Sequence, residues 1–252
     1  MRRSSAAGPG LHAAAGGSSR PALLAIVALC LAEAVVAFVG PVPGAVLHAA
    51  LLLVLLLGWV AAGDPALLVL ALVPTGRITA LALTVDSSGA GAYALAGLPL
   101  AVAVGWLLKD LGYRRPDVRR RPSWHAAAVA SSGIPLGAVV HGVLELPAAD
   151  GLPVVLAAPL VFVFVGVLEE LLYRGLVQRA LTEASGTAGV VLADVLFTAA
   201  YLPTRDAGLV LVMAVLGLAS GWYVHRTRGL AAVAVAHGLL AAGALVVWPV
   251  WT

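Results

Sequence analysis

The chain has 252 residues, 62% of them hydrophobic and 11% charged, with a formal net charge of +3. So little polar surface excludes an ordinary soluble globule, and the apolar segments recur at lengths able to cross about 30 Å of hydrocarbon. Lys109 is the only lysine among 15 basic residues, and the arginines gather at membrane flanks, which argues against nucleic acid as a partner.

The fold class implied is all-α, a polytopic transmembrane helix bundle in the lipid bilayer. Residues 1–20, rich in Ser, Ala and Gly with Arg2, Arg3 and Arg20, read as a disordered cytoplasmic tail. Residues 21–252 read as a single transmembrane helical domain. About nine spans are predicted, at 21–39, 43–62, 66–84, 92–108, 124–143, 152–172, 187–202, 207–224 and 229–250, with an uncertainty of about one. The first is read as an uncleaved span, because it is long and lacks a convincing cleavage site. Cys30, the single cysteine, can form no internal disulfide.

Orientation follows from the arginines. Lys109, Arg114, Arg115, Arg119, Arg120 and Arg121 share one loop, Arg174 and Arg179 follow the sixth span, and Arg226 and Arg228 follow the eighth. With the N-terminus cytoplasmic, all these exits are inside, and Glu145 and Asp150 fall outside. The third span carries Pro74-Thr75-Gly76-Arg77, which predicts an interrupted helix. Arg77 is expected to snorkel or to pair with a carboxylate such as Glu33, a substrate or ion site being the alternative.

The stretch that carries chemistry is Val165 to Arg179, where Glu169 and Glu170 close an apolar run. A charge in such a run costs about 2.5–3.5 kcal/mol on insertion, so it marks function or pairing. On a helix Glu170 and Arg174 are four apart and can meet as an ion pair. Glu169 lies elsewhere on the helix, with Tyr173 as its i+4 neighbour. One carboxylate is thus tied down and the other left to act as a general base. A structural cluster with Arg174 and Arg179 at the interface is the plainer alternative. His237 lies mid-span and could bond across helices, polarise a carbonyl, orient water or bind metal. Asp194, Phe197 and Tyr201 share one helix face, with Asp194 expected to pair or to end the helix. His48, His125, His141 and His225 are read as non-catalytic.

Glu169-Glu170-Leu171-Leu172-Tyr173-Arg174-Gly175 resembles the first motif, Glu-Glu-x-x-x-Arg, of the CPBP family of CAAX proteases and bacteriocin-processing (Abi) intramembrane endopeptidases. Phe197-Thr198-Ala199-Ala200-Tyr201 lies where that family carries Phe-x-x-x-His, and Gly217 to His237 resembles its third motif. The resemblance covers about residues 90–250. It implies peptide-bond hydrolysis in a helical membrane chamber, with Glu169 as base, Glu170 its partner, Arg174 holding the second carboxylate and His237 polarising the carbonyl; Tyr201 and Phe197 support them. It also implies an integral membrane protein of the bacterial plasma membrane acting on a membrane-associated or lipidated protein or peptide. A divalent metal, zinc, enters through the resemblance only, because Glu169 and His237 are the only plausible ligands and zinc normally takes three protein ligands.

The chain departs from the family at two positions. Tyr201 replaces the second-motif histidine, and Ala241 stands where an Asn is expected four residues after His237. Three functions therefore stay open: an intramembrane endopeptidase using glutamate-activated water at reduced strength, a catalytically inactive relative that binds membrane or lipidated proteins, and a small transporter using the interrupted third helix and the Glu pair.

Overall fold

The computed structural model describes residues 19–83, 89–111, 123–144, 146, 148 and 151–251. The expected tail up to residue 18, the arginines at 114, 115, 119, 120 and 121, and the acidic residues at 145 and 150 lie outside the described residues. Every regular element among the described residues is helical. We label them α1 (Ser19–Phe38), α2 (Pro41–Ala62), α3 (Pro65–Leu83), α4 (Ala90–Asp110), α5 (Trp124–Leu144), α6 (Val154–Ser185), α7 (Ala188–Ala199), α8 (Ala207–Thr227) and α9 (Leu230–Val250).

Eight of these are long and apolar enough to cross a membrane, and the chain is an integral membrane protein of the polytopic all-α class. Leu24, Phe38, Val42, Val60, Val102 and Val155 are exposed on their outer faces. In hydrocarbon no water competes for the backbone, so each segment satisfies its own hydrogen bonds as a helix.

The expected seventh span is the exception. Helix α7 has 12 residues and is followed by one tight turn, Leu202–Thr204. At about 1.5 Å per residue α7 covers roughly 18 Å, short of a hydrocarbon core of about 30 Å. Pro203 explains the early stop: it has no N–H to donate, and its ring would meet the carbonyl of Ala199. The sixth expected span errs the other way, since α6 continues past residue 172 to Ser185 and stops at Gly186, whose φ is +61°. Glu170, Arg174 and Gln178 follow one another at four-residue steps and all are buried. Charge placed on an inward stripe is matched by other helices, so it does not end this one.

The third span is not interrupted where expected. Residues Leu72–Leu83 are helical straight through Pro74, Thr75, Gly76 and Arg77, and the irregular turn falls at Ala71, one turn earlier. Proline disturbs the turn before it, where its missing N–H and its ring affect the carbonyl of residue i−4. Arg77 pairs with Glu33, its Nε 2.9 Å from the carboxylate. The irregularity in this span therefore lies at Ala71, and Arg77 is committed to Glu33.

The main core joins Ile26 and Leu29 of α1, Val69 and Leu70 of α3, Val104 and Leu107 of α4, Leu176 and Leu181 of α6, and Leu196 and Phe197 of α7. Close crossings by small residues set the remaining geometry. A Cβ on Gly166 of α6 would strike the backbone of His237 and Gly238 of α9, and a Cβ on Gly133 of α5 would strike the carbonyl of Ala236. Helix α9 is therefore pressed between α5 and α6, with His237 at the crossing.

Candidate active site

Helix α6 presents the two glutamates between two stretches of widened, π-type turns, Phe162–Val167 and Leu171–Val177. Such widened turns re-aim side chains away from regular helical spacing. Glu170 points inward and is 2% exposed, whereas the side chain of Glu169 is 30% exposed.

Glu170 has two partners. Arg174 Nε lies 3.5 Å from its Oε2, the expected i, i+4 pair. His237 Nδ1 lies 2.9 Å from its Oε1. A carboxylate can only accept, so Nδ1 carries the hydrogen and donates it. That leaves His237 Nε2 facing Glu169, 4.0 Å from its Oε2. Glu169 is not free as expected: Tyr201 donates its hydroxyl to Glu169 Oε2 at 2.7 Å. Its partner is this tyrosine from beyond α7, and Tyr173 instead turns into the core against Phe197.

Arg174 is fully enclosed. Its guanidinium lies 3.9 Å above the centre of the Phe197 ring, and its Nη2 is 3.8 Å from Asp194 Oδ1. Asp194 thus acts as a pairing residue. Cation–π contact and two carboxylates together offset the desolvation of the buried charge. Phe197 is the hub, edge-on to Tyr173 at 5.2 Å, Tyr201 at 5.3 Å and His237 at 6.1 Å. Gly217 of α8 makes room for this group, since a Cβ there would meet Asp194, Phe197 and Arg174.

Glu169, Glu170, Arg174, Phe197, Tyr201 and His237 therefore converge from α6, α7 and α9. A cavity of about 350 Å³ adjoins them, lined by Glu170, Arg174, Phe197, Gly217, Tyr223 and His237 among others. Its polar lining includes Glu170, Arg174, Tyr223 and His237, while Glu169 lies beside it, 30% exposed and bonded to Tyr201. The wide turns on either side of the pair turn Glu170 inward and leave Glu169 beside Tyr201. His125 stacks on Trp124, and His225 lies beside Trp222, both away from the carboxylates. Gln178, which the sequence did not single out, donates from buried Nε2 to the carbonyl of Gly221 at 2.9 Å and ties α6 to α8. Its place four residues after Arg174 was the available signal.

Residues 151–243 match the Rce1-like family model, described as type II CAAX prenyl endopeptidase Rce1-like. The resemblance read from the motifs is borne out over that stretch. It contains α6 to α8, nearly all of α9's buried part, and every residue named in the cluster. No curated protein and no solved structure matches the chain.

The residues present do not fit a zinc site. The one candidate pair, Glu169 and His237, lacks a third ligand: Tyr201 directs its hydroxyl hydrogen at Glu169, and Glu170 is engaged by Arg174 and His237. Among the described residues no group of three His, Cys, Asp or Glu could hold a metal ion.

Proposed function

We propose that the chain is an intramembrane endopeptidase of the CAAX type, hydrolysing a peptide bond in a prenylated or otherwise membrane-associated peptide. The family match supports the class of reaction. The observation that carries the mechanism is that Glu169 Oε2 receives the Tyr201 hydroxyl at 2.7 Å and faces His237 Nε2 at 4.0 Å. A water bonded to both the carboxylate and the imidazole at about 2.8 Å would form a bent bridge across that gap.

Glu169 takes a proton from this water as its oxygen attacks the carbonyl carbon. The carbonyl oxygen becomes an oxyanion, to which the Tyr201 hydroxyl can turn its one hydrogen once Glu169 has taken the proton and no longer needs that bond. Collapse of the tetrahedral intermediate breaks the C–N bond, and the proton held by Glu169 passes to the leaving amine. His237, with Nδ1–H held by Glu170, presents the Nε2 lone pair and orients the water. It polarises a carbonyl only as an imidazolium, which Glu170 would stabilise.

A second reading, an inactive relative that binds lipidated proteins, is favoured by Tyr201 itself, because its hydrogen bond occupies the oxygen that must act as base. The deciding experiment is cleavage of a farnesylated reporter peptide by purified protein in lipid nanodiscs. Cleavage that disappears in Glu169→Gln supports the enzyme. A silent native chain that still binds the peptide supports the inactive relative, and cleavage that survives Glu169→Gln overturns the mechanism.

A further inference from the structure

A second buried polar cluster lies in the N-terminal helices, outside the stretch that the family match covers. Glu33 of α1 and His48 of α2 are 1% and 0% exposed. Arg77 of α3 donates Nε to Glu33 Oε1 at 2.9 Å, and His48 Nε2 is 3.7 Å from the same oxygen. The other end of the Arg77 guanidinium leaves the cluster. Its Nη2 donates to the carbonyl of Ala200 at 2.5 Å. Ala200 is the residue that closes α7, and the next residue is Tyr201.

A converse bond runs the other way. Arg205, just after the turn that follows Tyr201, donates Nε to the carbonyl of Ala37 at 2.6 Å, in the last turn of α1. The backbone of Arg205 is left-handed, with φ +58°, a conformation that a residue with a Cβ adopts at a cost.

The last four carbonyls of any helix lack a partner within it, and the negative end of the helix dipole lies there. An end in water is served by water. At the end of α7 the carbonyls of Leu196, Phe197 and Thr198 accept from the backbone N–H groups of Ala200 and Tyr201, and the carbonyl of Ala200 takes its donor from another helix. Arg77 supplies it, and Glu33 fixes the direction from which it comes. The peptide carrying the Tyr201 phenol is then held from two sides, by Arg77 at Ala200 and by Arg205 at Ala37.

We propose that Arg77, aimed by Glu33, is a positioning residue that sets the Ala200–Tyr201 peptide so that the Tyr201 hydroxyl reaches Glu169. The inference rests on the reading of Glu169 and Tyr201 as working residues. It gives α1 to α3 a part in a site whose reacting groups all lie in the later helices.

Incorporation of fluorotyrosine at position 201 of the full chain in nanodiscs gives a readout that needs no activity. Glu169→Gln marks the fluorine resonance of a phenol that has lost its carboxylate acceptor. Arg77→Lys and Glu33→Gln should move the native resonance toward that position, while Arg179→Ala on the exposed end of α6 should leave it in place. If Arg77→Lys or Glu33→Gln fails to fold, the paired variant Glu33→Gln with Arg77→Gln removes both buried charges together and should show the same displacement. A native resonance in Arg77→Lys and in the paired variant would overturn the proposal. In the cleavage assay Arg77→Lys should lower kcat by about 10-fold to 100-fold with KM nearly unchanged, as expected for a misplaced group. That loss should vanish in a Tyr201→Phe background, and full additivity of the two changes would also overturn the proposal. A native chain that cleaves nothing sinks the enzymatic reading alone, because the resonance still decides the positioning.

Discussion

His237 Nδ1 lies 2.9 Å from Glu170 Oε1, across 67 residues of chain. The second glutamate of the pair is thus the group that fixes the histidine's tautomer and aims Nε2 at the first. Glu170→Gln keeps an acceptor for Nδ1–H but removes the charge that Arg174 and an imidazolium require. We expect kcat to fall by about 10²-fold with little change in KM, on the scale of one acid–base partner. Steady-state cleavage of the reporter peptide checks this, and an unaltered kcat would show that Glu170 serves Arg174 alone. Glu170→Ala should in addition lower stability by about 3–5 kcal/mol, because it leaves Arg174 buried without that partner.

Tyr201 is the position at which two outcomes separate. Loss of the hydroxyl in Tyr201→Phe should reduce cleavage by about 10²-fold to 10³-fold, the usual worth of an oxyanion donor. Tyr201→His should raise it above native, since an imidazole can share the proton load with Glu169. Rates for the three proteins in the same lipid decide the matter; a Tyr201→His variant slower than native would mean that the phenol is the adapted group.

The crossing of Gly166 with Gly238 places His237. A methyl group on Gly166 meets the backbone of α9, which cannot yield as a side chain can. Gly166→Ala should cost about 1–3 kcal/mol by overpacking and should abolish cleavage by moving His237 away. Gly91→Ala, where an added Cβ meets nothing within 4 Å, is the matched control and should be neutral or mildly stabilising. Thermal unfolding in detergent compares the two.

Membrane orientation is open to a direct test. Tags at residues 110–122 should be reached from the cytoplasm and tags at 146–151 from the opposite side, because arginine-rich flanks stay inside. Labelling of intact cells with an impermeant reagent reads both. Two tags on one side would mean that α5 does not cross.

The helical class and most span positions were legible because runs of apolar residues admit only one structure in hydrocarbon. The Glu170–Arg174 pair was legible because four-residue spacing is local. What failed was tertiary. A phenol at position 201 could donate to Glu169, to a water or to an oxyanion, and only the packing of α7 against α6 selects Glu169; the wide turns that turn Glu170 inward leave no mark in the local spacing. The Arg77 segment misled for a related reason. Pro74 and Gly76 look like a break when read alone, yet the helix persists because the proline's defect falls one turn back, at Ala71. Helix α7 was overcounted as a span since composition registers apolarity, while Pro203 sets the length.

Helix α6 also works as a depth gauge. Its first exposed ion pair beyond the glutamates is Arg179 with Glu183, at 3.0 Å. From Arg179 back to Glu170 is roughly 13 Å of helix at about 1.5 Å per residue. An extended strand advances about 3.3 Å per residue, so about four residues of unfolded chain are needed to descend from that polar level to the carboxylates. A peptide that descends along α6 in extended form therefore spends about four residues between the polar level of Arg179 and the pair at Glu169 and Glu170, a minimum length of slack set by the helix itself.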